Sequence, residues 1–180
     1  MTEYINSADG TKLRTIHRTC VSGPYISYGT RHTLTAAETL STDSVTYIGN
    51  FEIDGNLFTK YYFNNGYLYM GNAGGGTYHY TVKDHLGNVR AVVNENGTVE
   101  QVNNYFAYGG LLNDVTTGTD VQTRKYNGKE LDRMHGLDQY DYGARRYDAA
   151  IGMFTSMDPL CEKYYNINPY QYYSVKFNKK

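Results

Sequence analysis

The sequence has no tryptophan, only three prolines and two cysteines, and no apolar run near the roughly 20 residues that a membrane-crossing helix needs. Membrane insertion is therefore not expected. Cys20 and Cys161 lie far apart and cannot supply the dense disulfide framework of a small secreted domain; a single disulfide and two free thiols are both open. The long Ala/Leu/Glu/Lys runs of a helical bundle are missing. Net charge is −1, so no basic excess points to nucleic acid and no acidic excess points to disorder. The N-terminal "MTEYINSADG" has no apolar signal-peptide core, so the chain expressed alone is expected to be cytoplasmic, with any export signal left to a longer parent.

What the chain has instead is 21 tyrosines and 19 glycines in 180 residues. Tyrosine packs its ring and keeps its hydroxyl wet or bonded. A Tyr- and Thr-rich chain punctuated by glycine fits pleated sheet with many tight turns. The glycines repeat. Gly55, Gly66, Gly76, Gly87 and Gly97 are 11, 10, 11 and 10 residues apart, and Gly109, Gly118 and Gly128 continue the series. Asp54-Gly55, Asn65-Gly66, Asn96-Gly97 and Asn127-Gly128 are the dipeptides that two-residue hairpin turns favour. Turns at this spacing predict short antiparallel strands joined one to the next.

The stretches between the turns alternate with period two, which implies one buried and one wetter face. In "TYHYTV", Tyr78, Tyr80 and Val82 share a face, opposite Thr77, His79 and Thr81. "NVRAVVNENGTVEQV" reads as a hairpin, and residues 57–63 and 67–70 as the arms of another. Residues 33–40, "TLTAAETL", are open between a short helix and a crossing strand, and 129–135, "KELDRMH", can make one helical turn. Repeats of this kind close a core only by stacking on neighbours, so the chain is expected to be a segment of something larger. Its open strand edges make self-association an expected hazard.

The segments "YHYTVKDHLGNVRAVVNENGTVEQVNNYFAYGG", "KYNGKELDRMHGLDQYDYGARRYDAAIGMFTSMDPL" and "NPYQY" resemble the Rhs/YD-repeat family, in particular its repeat-associated core domain in Bacteroides-type versions. The resemblance implies a partial YD-repeat region over 1–77, the core over 78–172 and a divergent tail over 173–180. It also implies an all-β spiral shell with an irregular C-terminal core. Such a shell encloses or presents a C-terminal toxin in competition between bacteria, and its parents are secreted or cell-surface proteins. The implied partners are the remainder of the shell and that toxin. Many members free the enclosed segment by an aspartyl self-cleavage next to an Asp-Pro-x-Gly junction. That junction is absent here, where "YSVKFNKK" follows "NPYQY", so a truncated shell segment that is not an enzyme is the expectation.

If self-cleavage is retained, Asp148, Asp158 and Arg145 are its candidates. Two carboxylates held close share a proton and can act as acid and base, and an arginine can orient one of them. Ten residues apart across Gly152, they could face each other on a hairpin. The plainer reading makes both turn residues. Asp132 is a third carboxylate in the matched region. His17, His32, His79, His85 and His135 do not converge, read as sheet-surface residues and predict no metal. "NAGGGTY" lacks the lysine of a phosphate loop, and no cofactor is expected. Rows of exposed tyrosines leave a module for surface glycans as a second alternative.

Overall fold

A computed structural model describes residues 1–21, 32–71, 75–117 and 122–172. Among the described residues, regular structure is strand with short 3-10 turns and no α-helix. The all-β antiparallel architecture that the turn spacing predicts is the one adopted. The chain divides into two compact units, Met1–Tyr78 and His79–Lys180.

The first unit runs as a meander: β1 (Thr2–Asn6), β2 (Lys12–Cys20), β3 (Thr39–Ile48), β4 (Phe51–Asp54), β5 (Leu57–Phe63) and β6 (Gly66–Met70), each antiparallel to the next. The expected 57–63/67–70 hairpin is β5–β6, closed where Phe63 pairs with Gly66. Residues 33–40 take neither alternative whole. A 3-10 turn covers Ala36–Glu38 and β3 begins at Thr39; Glu38 Oε2 accepts the Thr35 N–H at 2.9 Å and caps the turn at its start. Burial in this unit is sparse and partly ionic. Glu52 lies opposite Lys60, and Tyr62 lies opposite Tyr67, all four of them buried. Tyr62 Oη donates to Glu52 Oε2 at 2.7 Å, and Lys60 Nζ stands 5.5 Å from the Tyr67 ring centroid. A buried charge is tolerated where it finds such a partner, the Tyr62 hydroxyl for Glu52 and the Tyr67 ring for Lys60.

The second unit continues with β7 (Gly76–Lys83), whose first residues belong to the preceding unit, then β8 (Val89–Asn94), β9 (Val99–Tyr105) and β10 (Leu111–Thr116). The expected hairpin around Asn96-Gly97 is β8–β9. Its turn is longer than a two-residue loop. The Asn94 N–H donates to the Thr98 carbonyl and the Gly97 N–H to the Asn94 carbonyl, at 2.9 and 3.0 Å. The same five-residue turn recurs at Ser7–Thr11, Asp84–Asn88 and Phe106–Gly110, each with its fourth-position glycine at φ between 84° and 87°. A type I turn followed by a left-handed glycine is the three-residue hairpin alternative to the two-residue loop. Side chains select it: Asp84 and Asn94 each use Oδ1 to accept the backbone N–H groups two and four residues on.

Alternation in "TYHYTV" is as expected, and the Thr77, His79 and Thr81 side is the covered one. His79 is buried and Tyr80 and Val82 are about half exposed. Val82, Ala91, Val102 and Val115 stand opposite one another across β7 to β10, with the three valines exposed. The other face carries Val92, Gln101 and Asn103, and there the chain returns over its own sheet. Gln101 Nε2 and Oε1 bond the Gln122 carbonyl and N–H, so a polar face is buried because its amides find backbone partners. His79 is thus no surface histidine: its Nδ1 lies 2.9 Å from Glu100 Oε2.

After residue 122 the chain builds a small antiparallel sheet in sequence order: β11 (Glu130–Asp132), β12 (Gln139–Asp141), β13 (Arg146–Asp148) and β14 (Met153–Phe154). The helical turn considered for 129–135 is instead β11 followed by a 3-10 turn at Met134–Gly136. Asn127 and Gly128 both take positive φ, as a tight Asn-Gly turn requires. Tyr126, Leu131, Tyr140, Tyr147 and Phe154 form the buried core, joined by Tyr105, Tyr142 and Tyr172.

Candidate functional site

The stretch "YDYGARRYDAAIGMFTSMDPL" spans β12 to β14, and its alternation decides which side chains meet. Tyr140 and Tyr147 pair across β12–β13 and point into the core, where Tyr147 is fully buried and its ring lies 4.2 Å from that of Tyr172. Their hydroxyls reach through to the Phe106–Gly110 turn. Tyr140 Oη donates to the Gly109 carbonyl at 2.9 Å and Tyr147 Oη to the Tyr108 carbonyl at 2.8 Å. Desolvation pushes the Tyr126, Tyr140, Tyr142 and Tyr147 phenols above the ordinary tyrosine range. Tyr142 and Tyr172 hydroxyls lie 2.7 Å apart, and Asn127 Nδ2 donates to both.

The two arginines take different partners, Arg145 from the bend before β13 and Arg146 from its first position. Arg145 lies 3.1 Å from Asp158 Oδ2, donates to the Pro169 carbonyl at 3.3 Å and stacks its guanidinium 3.8 Å from the Phe154 ring centroid. Arg146 lies 3.3 Å from Asp132 and 3.5 Å from Asp141, and so ties β13 to the two preceding strands. Of the expected triad, the structure joins Arg145 to Asp158 and leaves Asp148 apart. The register puts Asp148 opposite Gln139 and Met153, not opposite Asp158. Each aspartate closes its own turn, Asp148 Oδ1 accepting the Ala150 N–H at 2.9 Å and Asp158 Oδ1 the Leu160 N–H at 2.8 Å. The expected hairpin confrontation fails because β14 is two residues long and Asp158 falls beyond it. The carboxylates that do converge, Asp132 and Asp141, meet on the Arg146 guanidinium. Only the cross-strand pairing of Asp141 with Arg146 could have disclosed that arrangement from sequence.

Among the described residues no three His, Cys, Asp or Glu side chains converge in a way that could hold a metal ion. Cys20 and Cys161 are both free. Residues 72–74 of the glycine-rich stretch and 173–180 of the tail lie outside the described residues. An open groove of about 650 Å³ lies between the Phe106–Gly110 turn and the segment carrying Arg133 and Asp138, floored by Leu111, Leu131 and Ala149.

The comparisons with known proteins agree with this architecture. A model of the Teneurin YD-shell family matches residues 44–179. Salivary gland surface protein 1 of Aedes aegypti is 35% identical over 96 residues, which are 53% of this chain and 3% of that protein. The crystal structure of TcdB2-TccC3-Cdc42 shares the fold with a TM-score of 0.72 at 19% identity, over 94% of this chain and 8% of that one. The Photorhabdus luminescens Tc holotoxin pore with the TccC3-D651A mutation gives 0.72 at 20% identity over the same shares. The chain therefore spans a small part of the length of each relative. Its meander of short strands, its repeated glycine turns and a family match over most of its length lead to one assignment: the chain belongs to the Teneurin YD-shell family.

Proposed function

We propose that the chain is a wall segment of a toxin-type YD shell together with the small sheet that braces it, and that the shell encloses or presents a C-terminal polypeptide. The observation that carries this reading is the return of residues 122–129 over the polar face of β8 and β9, with the aromatic sheet built directly after it. That arrangement fixes the order of a wall without needing a catalytic site. The partners are the remaining repeats of the shell and the enclosed polypeptide. Use between competing bacteria, and a secreted or cell-surface parent, belong to the same proposal. Asp148, Asp158 and Arg145 then act as turn and bracing residues. Limited proteolysis of the full-length protein that carries this segment tests the reading. The enclosed part is expected to resist protease until denaturant opens the shell; prompt cleavage in the native state would overturn it. Self-cleavage is tested separately by intact mass: a single species at about 20.5 kDa is expected for the chain, and fragments lost in Asp158→Asn would reverse the bracing assignment.

A further inference from the structure

We propose that Lys125 and Asn103 form an intramolecular isopeptide bond, which would fasten the returning segment to β9 covalently. The pair is the most enclosed amine and carboxamide among the described residues, with Asn103 at 0% and Lys125 at 2% exposure. Lys125 Nζ lies 2.7 Å from Asn103 Oδ1. The same oxygen accepts a second hydrogen bond, from Gln101 Nε2 at 2.9 Å. Asn103 Nδ2 is fixed in turn by donation to the Val89 carbonyl at 3.0 Å.

This is an arrangement for acyl transfer. Both reactants are held before the reaction, so the entropy of bringing them together is already spent by folding. Their backbones are fixed too: the Val89 N–H donates to the Lys125 carbonyl at 3.1 Å, and the Lys125 N–H to the Lys129 carbonyl at 2.9 Å. The nucleophile in the step is the neutral amine form of the lysine. The Gln101 amide stands where an oxyanion donor is needed as charge develops on Oδ1. In the step, the Nζ lone pair attacks Cγ of Asn103 and an Nζ–Cγ bond forms. The Cγ–Nδ2 bond breaks, Nδ2 takes a proton from Nζ, and ammonia leaves. No oxidant, metal or co-reactant is consumed. The product is an amide between strand β9 and residue 125, at the point where the wall is bound to its brace.

The test is intact mass of the purified full chain under denaturing conditions, after incubation of the folded protein at physiological temperature. The expected mass is lower than the sequence mass by one ammonia, and a digest is expected to yield a branched peptide joining the segments around Asn103 and Lys125. Asn103→Ala and Lys125→Arg are each expected to restore the full mass. Asn103→Asp is expected to lose one water instead, giving the same cross-linked product. Wild-type protein that shows native near-ultraviolet tyrosine dichroism and the full sequence mass overturns the proposal, whatever the variants do. That result would leave the shell reading standing, since its protease test is independent.

Discussion

The two units begin alike, as meanders of short antiparallel strands, but they bury different things. The first buries Ile16, Tyr62 and Tyr67 among apolar residues, alongside Thr15, Glu52 and Lys60. The second buries a contiguous cluster of four aromatic rings and a leucine, with further tyrosines packed on it. In the first unit the buried side chains meet by cross-strand register, Glu52 on Lys60 and Tyr62 on Tyr67. In the second, residues more than 20 positions apart are brought together, as when Tyr140 reaches the Gly109 carbonyl. A strand-by-strand meander supplies only neighbour contacts. A core of the ordinary kind appears where the chain returns.

That contrast is broken most severely at the centre of the aromatic cluster. Tyr147→Ala removes a fully buried ring and the hydroxyl that holds the Tyr108 carbonyl, and is expected to cost about 4 kcal/mol, as large-to-small aromatic truncations do. Tyr61→Ala in β5, at a half-buried position against Phe51, is expected to cost less than half as much. Urea unfolding followed by tyrosine fluorescence compares them. Equal losses would mean that the second unit has no privileged core.

Gly109→Ala comes next. Its φ of +87° disfavours any side chain, and a Cβ there would lie 2.5 Å from the Tyr126 ring. Left-handed backbone and overpacking together are expected to cost about 3 kcal/mol. Gly97→Ala has the same backbone penalty but open space around the Cβ, so about 1 kcal/mol is expected. The difference between the two isolates packing from conformation, and thermal melts of the pair measure it. Without it, the Phe106–Gly110 turn would not be packed on the core as described.

Alkaline pH separates the units without mutation. The Tyr126, Tyr140, Tyr142 and Tyr147 phenols are raised chiefly by desolvation on burial. A group whose folded value lies above its unfolded one contributes fully below the unfolded value, about 10 for tyrosine, and loses that contribution as pH rises through the folded value. The aromatic sheet is therefore expected to weaken above pH ~10, with ionisation and loss of structure coinciding. Tyrosinate absorbance and near-ultraviolet dichroism followed together test this. Ionisation of these phenols near the ordinary value with dichroism intact would contradict a dry core.

The two units also differ in how much of them the sequence disclosed. Strands β5 to β9 were legible from the turn glycines between them and, in β7 and β8, from period two. The face was not legible. "TYHYTV" shows its period, but which side is covered depends on residues 122–129, which approach from elsewhere in the chain. Gln101, Asn103, Gln122 and Lys125 look like surface residues in any window, and their burial follows from mutual hydrogen bonds that only the fold creates. Strands β11 to β14 are two or three residues long and carry no usable period. For the same reason the sequence could not show that the register sets Asp148 apart from Asp158, opposite Gln139 and Met153. Arg145 and Asp158 are in contact, while Asp158 lies beyond the end of β14.

The smallest expected effect sharpens this last point. Asp148→Asn keeps an oxygen for the Ala150 N–H and removes only a charge, so stability is expected to change by no more than about 0.5 kcal/mol. Asp158→Asn also keeps its turn bond but loses the Arg145 ion pair, and a partly exposed pair of this kind contributes about 0.5–1 kcal/mol. The two losses should add in the double variant, because the side chains share no partner. A proton-sharing dyad would behave otherwise. Neutralising either carboxylate would relieve repulsion, stabilise the fold and make the second substitution nearly silent. A double-mutant cycle by chemical denaturation distinguishes the two: additivity keeps Asp148 and Asp158 as separate turn residues, and strong coupling would restore them as one site.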